Sequence, residues 1–246
     1  MGELDNKVAV ITGAGSGMAK ASVKVFTREG AKVVAADISG AEQDVATEVG
    51  GVVLPVHCDV TKEADVKALM EAAIEEFGRV DAVLNVAGVA DGAQLVDLDM
   101  EMYDRLMDVN LRGVFLGMKH GIRAMLPTGG GSIVNWSSVG GLNGNAFTAV
   151  YNASKHAVIG ASKSAAIEYG PGGIRVNVIC PGYVRTEIMS KDAEAHMHDI
   201  VLKADLKRGG LPHEVAEVGS FLASDRASFV SGAVIAVDGG WSAKLA

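Results

Sequence analysis

The sequence predicts an α/β fold in which one parallel sheet of about seven strands is covered by helices on both faces. Short apolar runs rich in β-branched residues alternate along the whole chain with longer segments of helical periodicity. The apolar runs are continuous rather than alternating with polar residues, which is typical of strands buried on both faces. Of the 246 residues, 49% are hydrophobic and 21% are charged, as in globular proteins. We find no linker, repeat or low-complexity tract, and therefore expect one domain over residues 1–246.

Seven apolar runs are interpreted as strands, and three intervening segments show the clearest helical periodicity. The strands are predicted at about 7–12, 31–36, 52–58, 80–86, 131–136, 174–180 and 233–237. The helices are predicted at 64–77, 103–125 and 151–169. The second helix ends before Pro127 and the third at Gly170-Pro171, where proline cannot continue a helix.

Residues 185–211 interrupt the alternation of strands and helices, because they contain no predicted strand. The segment follows the run 174–180, and ligands of open α/β folds bind at the carboxyl ends of the strands. We interpret it as a helical insertion that forms a substrate lid. A loop without function is the alternative.

Charge and composition exclude several classes of partner. The net charge is −8, from 22 Lys and Arg against 30 Asp and Glu, and the chain lacks the basic stripe that nucleic-acid binding requires. No apolar stretch approaches the ~18 residues of a membrane helix. The two cysteines, Cys58 and Cys180, lie in apolar runs and are interpreted as reduced, buried thiols. We therefore expect a cytoplasmic protein that binds neither nucleic acid nor membrane.

A glycine-rich turn follows the first predicted strand. Gly13, Gly15 and Gly17 stand where the chain passes from that strand into a helical segment. In this context the backbone N–H groups and the positive end of the helix favour a pyrophosphate, although a plain turn is the alternative. Asp37 ends the second predicted strand, about 20 residues further on, where a carboxylate binds ribose hydroxyls. A helix cap is the other interpretation of Asp37.

Tyr151 and Lys155 are four residues apart on the third predicted helix and share one of its faces. A nearby ammonium, together with a positively charged nicotinamide ring, would lower the pKa of the phenol and make it a proton donor and acceptor. Most pairs at this spacing are solvated helix faces, so the pair needs support from other motifs.

That support comes from a family resemblance that covers almost the whole chain. The sequence resembles short-chain dehydrogenases/reductases of the main single-domain branch. The motifs that carry the resemblance occur in the expected order: Thr12-Gly13-Ala14-Gly15-Ser16-Gly17-Met18-Ala19, Asn85-Val86-Ala87-Gly88, Asn110, Ser137-Ser138, Tyr151 with Lys155, and Pro181-Gly182. The resemblance implies a three-layer, doubly wound Rossmann-type fold. It also implies an oxidoreductase that interconverts a secondary alcohol and a ketone, with hydride exchanged with NAD.

The resemblance further implies the roles of four residues. Tyr151 is the general acid/base, and Lys155 lowers its pKa and holds the nicotinamide ribose. Ser138 hydrogen-bonds the substrate oxygen, and Asn110 completes a water-linked proton relay to Lys155. Ser138 is preferred to Ser137 because its spacing to the tyrosine fits the family.

The implied cofactor and substrate sets are larger. The cofactor residues are Gly13, Ser16, Gly17, Met18, Asp37, Asp59, Val60, Asn85, Ala87, Gly88, Tyr151, Lys155, Pro181, Gly182, Val184 and Thr186. The substrate residues are Ser138, Val139, Asn145, Phe147, Tyr183, Ile188, Met189 and Met197. Neither Ser16 nor Ile38 is basic, so NAD is favoured over NADP. Two positions depart from the family pattern: Ala19 replaces a glycine and Val86 replaces an asparagine.

Alternatives remain for the chemistry and the assembly. The same fold can reduce a conjugated carbon–carbon double bond, or bind NAD as a sensor without turnover. A metal site is not expected, because His196 and His198 would face nearly opposite ways on a helix. The resemblance implies a homotetramer built on two long helices and the C-terminal segment.

Overall fold

The computed structural model describes residues 2–186 and 201–243, and every strand in these ranges belongs to one parallel sheet. The seven strands lie in the spatial order β3-β2-β1-β4-β5-β6-β7. They are β1 (Val8–Thr12), β2 (Lys32–Asp37), β3 (Val53–His57), β4 (Ala82–Asn85), β5 (Gly131–Trp136), β6 (Ile174–Pro181) and β7 (Val234–Val237). The order reverses direction between β1 and β4, which is the switch point of a doubly wound sheet. The predicted Rossmann-type α/β fold is confirmed.

Helices cover both faces of this sheet. They are α1 (Gly17–Arg28), α2 (Glu42–Val49), α3 (Glu63–Phe77), α4 (Met100–Met107), α5 (Gly113–Met125), α6 (Ala149–Tyr169) and α7 (Pro212–Ala223). Side chains of β1 alternate between two cores. Ile11 packs with Phe26 of α1 on one face. Val10 packs with Leu69 of α3 and Met125 of α5 on the other.

Burial of the strands follows their position in the sheet. Central strands β1 and β4 are buried along their whole length, as the continuous apolar runs predict. The edge strands β3 and β7 are only half-buried, so the expectation of burial on both faces is wrong for them. Each has a neighbouring strand on one side only, which leaves more of its surface accessible.

The helix predicted at 103–125 is two helices joined by a π turn. Helix α4 begins three residues earlier, at Met100, and a π-helical turn spans Asp108–Arg112 before α5 begins. A π turn inserts an extra residue into the helical ladder, and such turns occur frequently at functional sites. The periodicity of the sequence does not reveal this insertion, whereas the helix predicted at 151–169 is α6 with two additional N-terminal residues.

Close packing between α5 and β4 depends on a glycine. A Cβ atom at Gly117 would lie 1.9 Å from Oδ1 of Asn85, so this helix position has no room for a side chain. The Asn85 amide instead donates to Oδ1 of Asn135 at 2.7 Å, and the Asn135 amide donates to Oγ of Ser162 at 2.8 Å. This buried polar chain links β4 and β5 to α6.

The predicted lid at 185–211 falls only partly within the structure, because residues 187–200 lie outside the described ranges. Within the rest, the backbone of Arg185 bonds that of Gly210, and Leu206 N donates to the carbonyl of Gly239 at 3.0 Å. None of the described helices is long and apolar enough to cross a membrane.

Candidate active site

A cavity of about 390 Å³ opens at the switch point of the sheet, between the carboxyl ends of β1 and β4. Ten of the predicted cofactor residues line it: Gly13, Ser16, Gly17, Met18, Asp37, Asp59, Val60, Ala87, Gly88 and Thr186. Six lining residues were missed in the cofactor prediction: Ala19, Ile38, Cys58, Val86, Val89 and Val109. Ala19 and Val86 stand inside the two quoted motifs, at the positions that depart from the family pattern. The other four carry no motif, so only their position in the fold identifies them.

The glycine turn brings the start of α1 to this cavity. Gly13 and Gly17 adopt φ angles of 72° and 53°, in the left-handed region that favours glycine. A Cβ atom on Gly13 would lie 2.8 Å from Cα of Ala87, and one on Gly17 would lie 3.3 Å from Cγ2 of Thr186. The missing side chains therefore leave the cleft between β1, β4 and Thr186 open.

The first turn of α1 is suited to bind an anion. Ser16 is the N-cap residue, its side chain makes no capping hydrogen bond, and the first turn contains no acidic residue. The helix N-terminus therefore presents its N–H groups and positive dipole end to the cavity.

Asp37 stands at the opposite side of the glycine turn. One carboxylate oxygen accepts from the Gly15 backbone N–H at 2.9 Å. The other accepts from the N–H and hydroxyl of Ser39 at 2.8 and 2.6 Å. Burial opposes ionisation of Asp37, but these hydrogen bonds outweigh it and lower the pKa of the carboxyl. Asp37 thus presents a fixed negative charge at the cavity wall.

Lys155 lies fully inside the protein at the other end of the site. Its Nζ donates to the carbonyl of Trp136 at 3.0 Å and lies 5.8 Å from the centre of the Tyr151 ring. A Cβ atom on Gly88, which lines the cavity, would lie 3.4 Å from Nζ of Lys155 and 3.2 Å from Oδ1 of Asn110. Gly88 therefore joins the cavity to the Tyr–Lys pair.

Asn110 occupies the middle of the π turn and is completely buried. Its Oδ1 accepts from the Val89 N–H at 2.8 Å, and its Nδ2 donates to the Val89 carbonyl at 2.8 Å. Nδ2 also lies 3.4 Å from Oγ of Ser154. The amide thus fixes the backbone of the loop that follows β4, directly beside Gly88.

The two serines after β5 point to opposite sides, as neighbours in extended backbone do. The hydroxyl of Ser137 donates to the carbonyl of Lys155 at 2.8 Å and is buried against α6. The side chain of Ser138 is hydrogen-bonded to that of Tyr151 and accepts from the Gly140 N–H at 3.1 Å. The structure therefore brings Ser138, rather than Ser137, to the phenol.

Burial dominates the protonation of the Tyr–Lys pair. It raises the pKa of the Tyr151 phenol, although the hydrogen bond to Ser138 opposes this. It lowers the pKa of Lys155 to about 8. Without a cofactor, burial therefore raises the pKa of Tyr151, whereas the spacing to Lys155 predicts that the ammonium lowers it.

Several predicted residues lie elsewhere. The Asn85 side chain points into the core toward Asn135, away from the cavity that it is predicted to line. Tyr183 lines a separate cavity of about 110 Å³ with Arg208 and Asp238. The N–H of Gly182 donates to the Val237 carbonyl, so this glycine ties β6 to the end of β7.

The remaining predicted positions have mixed placements. Pro181 ends β6, and Val184 is buried and pairs with Gly210. Val139 is buried in the turn after Ser138, whereas Asn145 is exposed. Ile188, Met189 and Met197, together with His196 and His198, lie outside the described residues. Within residues 2–186 and 201–243, no group of His, Cys, Asp and Glu side chains could hold a metal ion.

Comparison with known proteins places the chain in a family. A family model described as "Enoyl-(Acyl carrier protein) reductase" matches residues 13–242. Cis-4-hydroxycyclohexanecarboxylate dehydrogenase of Sinomonas cyclohexanicum is 42% identical over 251 residues, which cover 99% of this chain and 100% of that protein. Cyclohexanol dehydrogenase of Acinetobacter sp. (strain SE19) is 40% identical over 98% of this chain and 97% of its own. A 3-alpha-(or 20-beta)-hydroxysteroid dehydrogenase of Mycobacterium tuberculosis is 40% identical over 100% of this chain and 93% of its own.

The chain belongs to the short-chain dehydrogenase/reductase family, which confirms the resemblance drawn from the motifs. Dehydrogenases of this family use nicotinamide cofactors. The cavity fits such a group, because it joins an open helix N-terminus for a pyrophosphate to a carboxylate for a ribose. Its volume also lies within the ~300–1,000 Å³ typical of ligand sites.

The cost of burying Lys155 gives a stability prediction. The folded-state pKa of about 8 lies below the ordinary 10.5, so the unfolded chain binds more protons between these values. The free energy of unfolding should therefore rise with pH across this window, and below pH 8 the buried charge destabilises the fold. We expect Lys155→Met to raise the stability of the cofactor-free protein at pH 7 by about 1–2 kcal/mol, after the loss of one hydrogen bond.

Thermal unfolding at pH 7 and pH 10 measures this effect. The gain should shrink toward pH 10, where wild-type Lys155 is largely neutral. The control is Lys163→Met, at an exposed position of α6, which should change the melting temperature little. A melting temperature of Lys155→Met below that of wild type at pH 7 would contradict the prediction.

Proposed function

We propose that this protein is an NAD-dependent oxidoreductase that interconverts a secondary alcohol and a ketone. The observation that carries the proposal is the meeting of Ser138, Tyr151 and buried Lys155 beside Gly88. Gly88 lines the cavity that also holds the glycine turn and Asp37. This combination suits a dinucleotide and a proton donor that must meet at one carbon atom.

Within the proposal, each residue has a role that its contacts support. When bound, NAD supplies the hydride acceptor and a positive charge near the phenol. The Tyr151 phenolate would accept the proton of the alcohol as the hydride leaves its carbon, and the phenol formed would return that proton to the ketone oxygen in the reverse direction. Ser138 holds the substrate oxygen against Tyr151. The Lys155 ammonium, together with the cofactor charge, offsets the burial that raises the pKa of the phenol.

Asn110 holds the loop beside Lys155 rather than contacting the ammonium directly. Its amide spans both backbone groups of Val89, so the neighbouring Gly88 keeps its close approach to Nζ of Lys155. A water-linked relay from Asn110 to Lys155 is part of the proposal. A buried tyrosine needs such a path because the proton that it takes from the substrate must reach solvent. The single domain over 1–246, the lid at 185–211 and the cytoplasmic location also remain proposals.

A carbocyclic secondary alcohol is the substrate class that we favour. The relatives named above act, by their names, on a hydroxycyclohexanecarboxylate, on cyclohexanol and on hydroxysteroids. The first two names place the hydroxyl on a six-membered ring, and the third names a substrate with a polycyclic skeleton. A ring alcohol also suits the mostly apolar substrate set predicted from the sequence.

Reduction of a conjugated carbon–carbon double bond is a second candidate, because the matching family model is described as an enoyl reductase. The four-residue spacing of Tyr151 and Lys155 and the names of the relatives favour the alcohol reaction. Incubation with reduced cofactor and either a crotonyl thioester or cyclohexanone separates the two. Consumption of the thioester alone would favour the second candidate.

Removing the phenolic hydroxyl tests the mechanism. Tyr151→Phe should lower turnover of cyclohexanol with NAD by at least ~10³-fold, since the proton acceptor is lost while ring packing is kept. NAD affinity should stay within a few fold. Tyr169→Phe, at the far end of the same helix, is the matched control and should keep wild-type turnover. Turnover is measured by the absorbance of the reduced cofactor. Near-normal turnover by Tyr151→Phe would exclude the mechanism.

Asp37 should set the preference between the two dinucleotides. Its carboxylate oxygens can accept hydrogen bonds from ribose hydroxyls, and its negative charge repels a 2′-phosphate. Wild type should therefore prefer NAD in kcat/KM, and Asp37→Ala should shift the NAD-to-NADP ratio toward NADP by about tenfold or more. Asp44→Ala, in the first turn of α2, controls for a general change of charge. Preference of the wild type for NADP would contradict this interpretation of Asp37.

Assembly as a homotetramer is also proposed. An apolar groove of about 440 Å³ runs between α5 and α6, and Phe115 in it is half-exposed. Ile167 of α6 and Phe229 before β7 are also exposed, as expected for surfaces that another subunit covers.

Light scattering should give about four times the 25.4 kDa of one chain, and Phe115→Glu should give smaller species. Lys67→Glu on α3 is the control, and a wild-type mass near 25 kDa would contradict the proposal.

A further inference from the structure

Asn152 is a buried polar side chain to which the proposed reaction gives no role. It directly follows Tyr151 in the first turn of α6 and is only 7% exposed. A buried amide requires hydrogen-bond partners, because an unpaired polar group costs free energy inside a protein. The partners of this amide therefore show which part of the structure it holds.

One orientation of the Asn152 amide satisfies all of its neighbours. The amide oxygen then accepts from the Asn145 N–H at 2.8 Å and from the Thr148 hydroxyl at 3.1 Å. The amide nitrogen donates to the Gly140 carbonyl at 3.3 Å. In the opposite orientation the amide oxygen would face that carbonyl oxygen, and two acceptors cannot bond each other. Asn152 therefore binds the segment between β5 and α6 at three points.

Gly140 lies between this amide and the two side chains that are proposed to handle the proton. A Cβ atom on Gly140 would lie 2.5 Å from the side-chain amide of Asn152. The same atom would lie 3.4 Å from Cε1 of Tyr151 and 3.5 Å from Oγ of Ser138. Only glycine leaves room for the amide at this position, so three functional side chains surround one backbone unit.

Gly140 in turn holds the Ser138 hydroxyl. Its N–H donates to Oγ of Ser138 at 3.1 Å. A hydroxyl group has one proton to donate, and accepting a bond from an N–H leaves that proton for another partner. Here the other partner is the side chain of Tyr151, to which Ser138 is hydrogen-bonded. A displacement of Gly140 would therefore redirect the hydroxyl of Ser138.

The Gly140 carbonyl depends on α6 rather than on its own turn. The carbonyls of the two preceding residues accept backbone N–H groups from within the turn, at 2.8 and 3.0 Å. The Gly140 carbonyl accepts from the Asn152 amide instead. Loss of the amide would leave this carbonyl without that donor in a buried turn, which favours a shift of the backbone.

We propose that Asn152 is a positioning residue that holds the Ser138 hydroxyl toward Tyr151 through Gly140. The inference rests on the proposed oxidation of secondary alcohols and names a further residue of the same site. In this role Asn152 touches neither substrate nor cofactor. It keeps the Gly140 N–H on Oγ of Ser138, so that the hydroxyl proton points to the oxygen atoms at which the reaction occurs.

Removing the amide tests the proposal. Asn152→Ala should lower kcat/KM for cyclohexanol, at saturating NAD, by about ten- to a hundredfold, because Ser138 loses its fixed position. NAD affinity should stay within about twofold. Asn152→Ser should have the same effect, since its hydroxyl is too short to reach the Gly140 carbonyl. This second variant decides the matter if Asn152→Ala does not fold.

The pH dependence separates this role from a general loosening of the site. The hydrogen bond from Ser138 lowers the pKa of Tyr151, and alcohol oxidation requires the phenolate. Weakening this bond raises the pKa, so the acid limb of the kcat/KM profile should move to higher pH in the Asn152 variants. The other ionisable groups beside the phenol, Lys155 of α6 and Cys180 of β6, are unchanged in them.

Thr148→Val is the matched control. It removes a hydroxyl that bonds the same amide, but it leaves the contact between Asn152 and Gly140. This hydroxyl makes no capping hydrogen bond to α6, so the helix should not be affected. The kcat/KM and the pH profile should be those of wild type.

A double-mutant cycle tests whether Asn152 acts through Ser138. In the Ser138→Ala background, Asn152→Ala should lower kcat/KM further by less than about twofold, because the hydroxyl that it positions is absent. If Ser138→Ala has no measurable turnover, the pH profile decides alone.

Three results would overturn the proposal. The first is a folded Asn152 variant with kcat/KM within about twofold of wild type. The second is a loss of activity with an unchanged acid limb, and the third is a full additional loss in the Ser138→Ala background. Wild-type protein that oxidises cyclohexanol with neither dinucleotide would instead overturn the proposed function, on which this inference depends.

Discussion

The burial of the Lys155 ammonium is the constraint on which the rest of the site depends. A charge inside the protein requires partners, and the structure supplies the Trp136 carbonyl at 3.0 Å and the face of the Tyr151 ring at 5.8 Å. Burial also lowers its pKa to about 8, so the charge is held at a cost to the fold. The neighbouring Gly88, which lines the cavity, has no side chain, and a Cβ atom there would lie 3.4 Å from Nζ.

The surrounding elements fix the position of this charge through backbone groups. Ser137 binds the carbonyl of Lys155, and Asn110 binds both backbone groups of Val89. Each of these side chains is short and buried, so it has few alternative conformations. The π turn that carries Asn110 places its amide inside the protein, where a regular helix of the same length would shift it around the axis. Rigid supports of this kind would serve the proton transfer that we propose for this site.

Around the first turn of α1, glycines again leave space that a side chain would fill. Gly13 and Gly17 take backbone angles that favour glycine and leave the first turn of α1 open toward the cavity. Asp37 is anchored by Gly15 and Ser39, which keeps its carboxylate ionised. An anion-binding end and a fixed negative charge thus lie on two sides of one turn, which is the arrangement a dinucleotide needs.

The sequence alone determined the fold class, the order of strands along the chain and most of the cavity lining, because parallel strands and glycine turns leave strong local patterns. It did not reveal that the Asn85 side chain donates to Asn135 in the core and does not line the cavity. The cofactor contact of Asn85 stays a prediction. It also missed the π turn at Asp108–Arg112 and apolar lining residues such as Val109.

Only the tertiary structure decided these points, since each depends on which residues from distant segments meet. The same holds for the pKa of Tyr151, which burial controls and spacing does not reveal. It holds equally for the contact of Gly140 with Asn152, because a turn and a later helix share no local pattern.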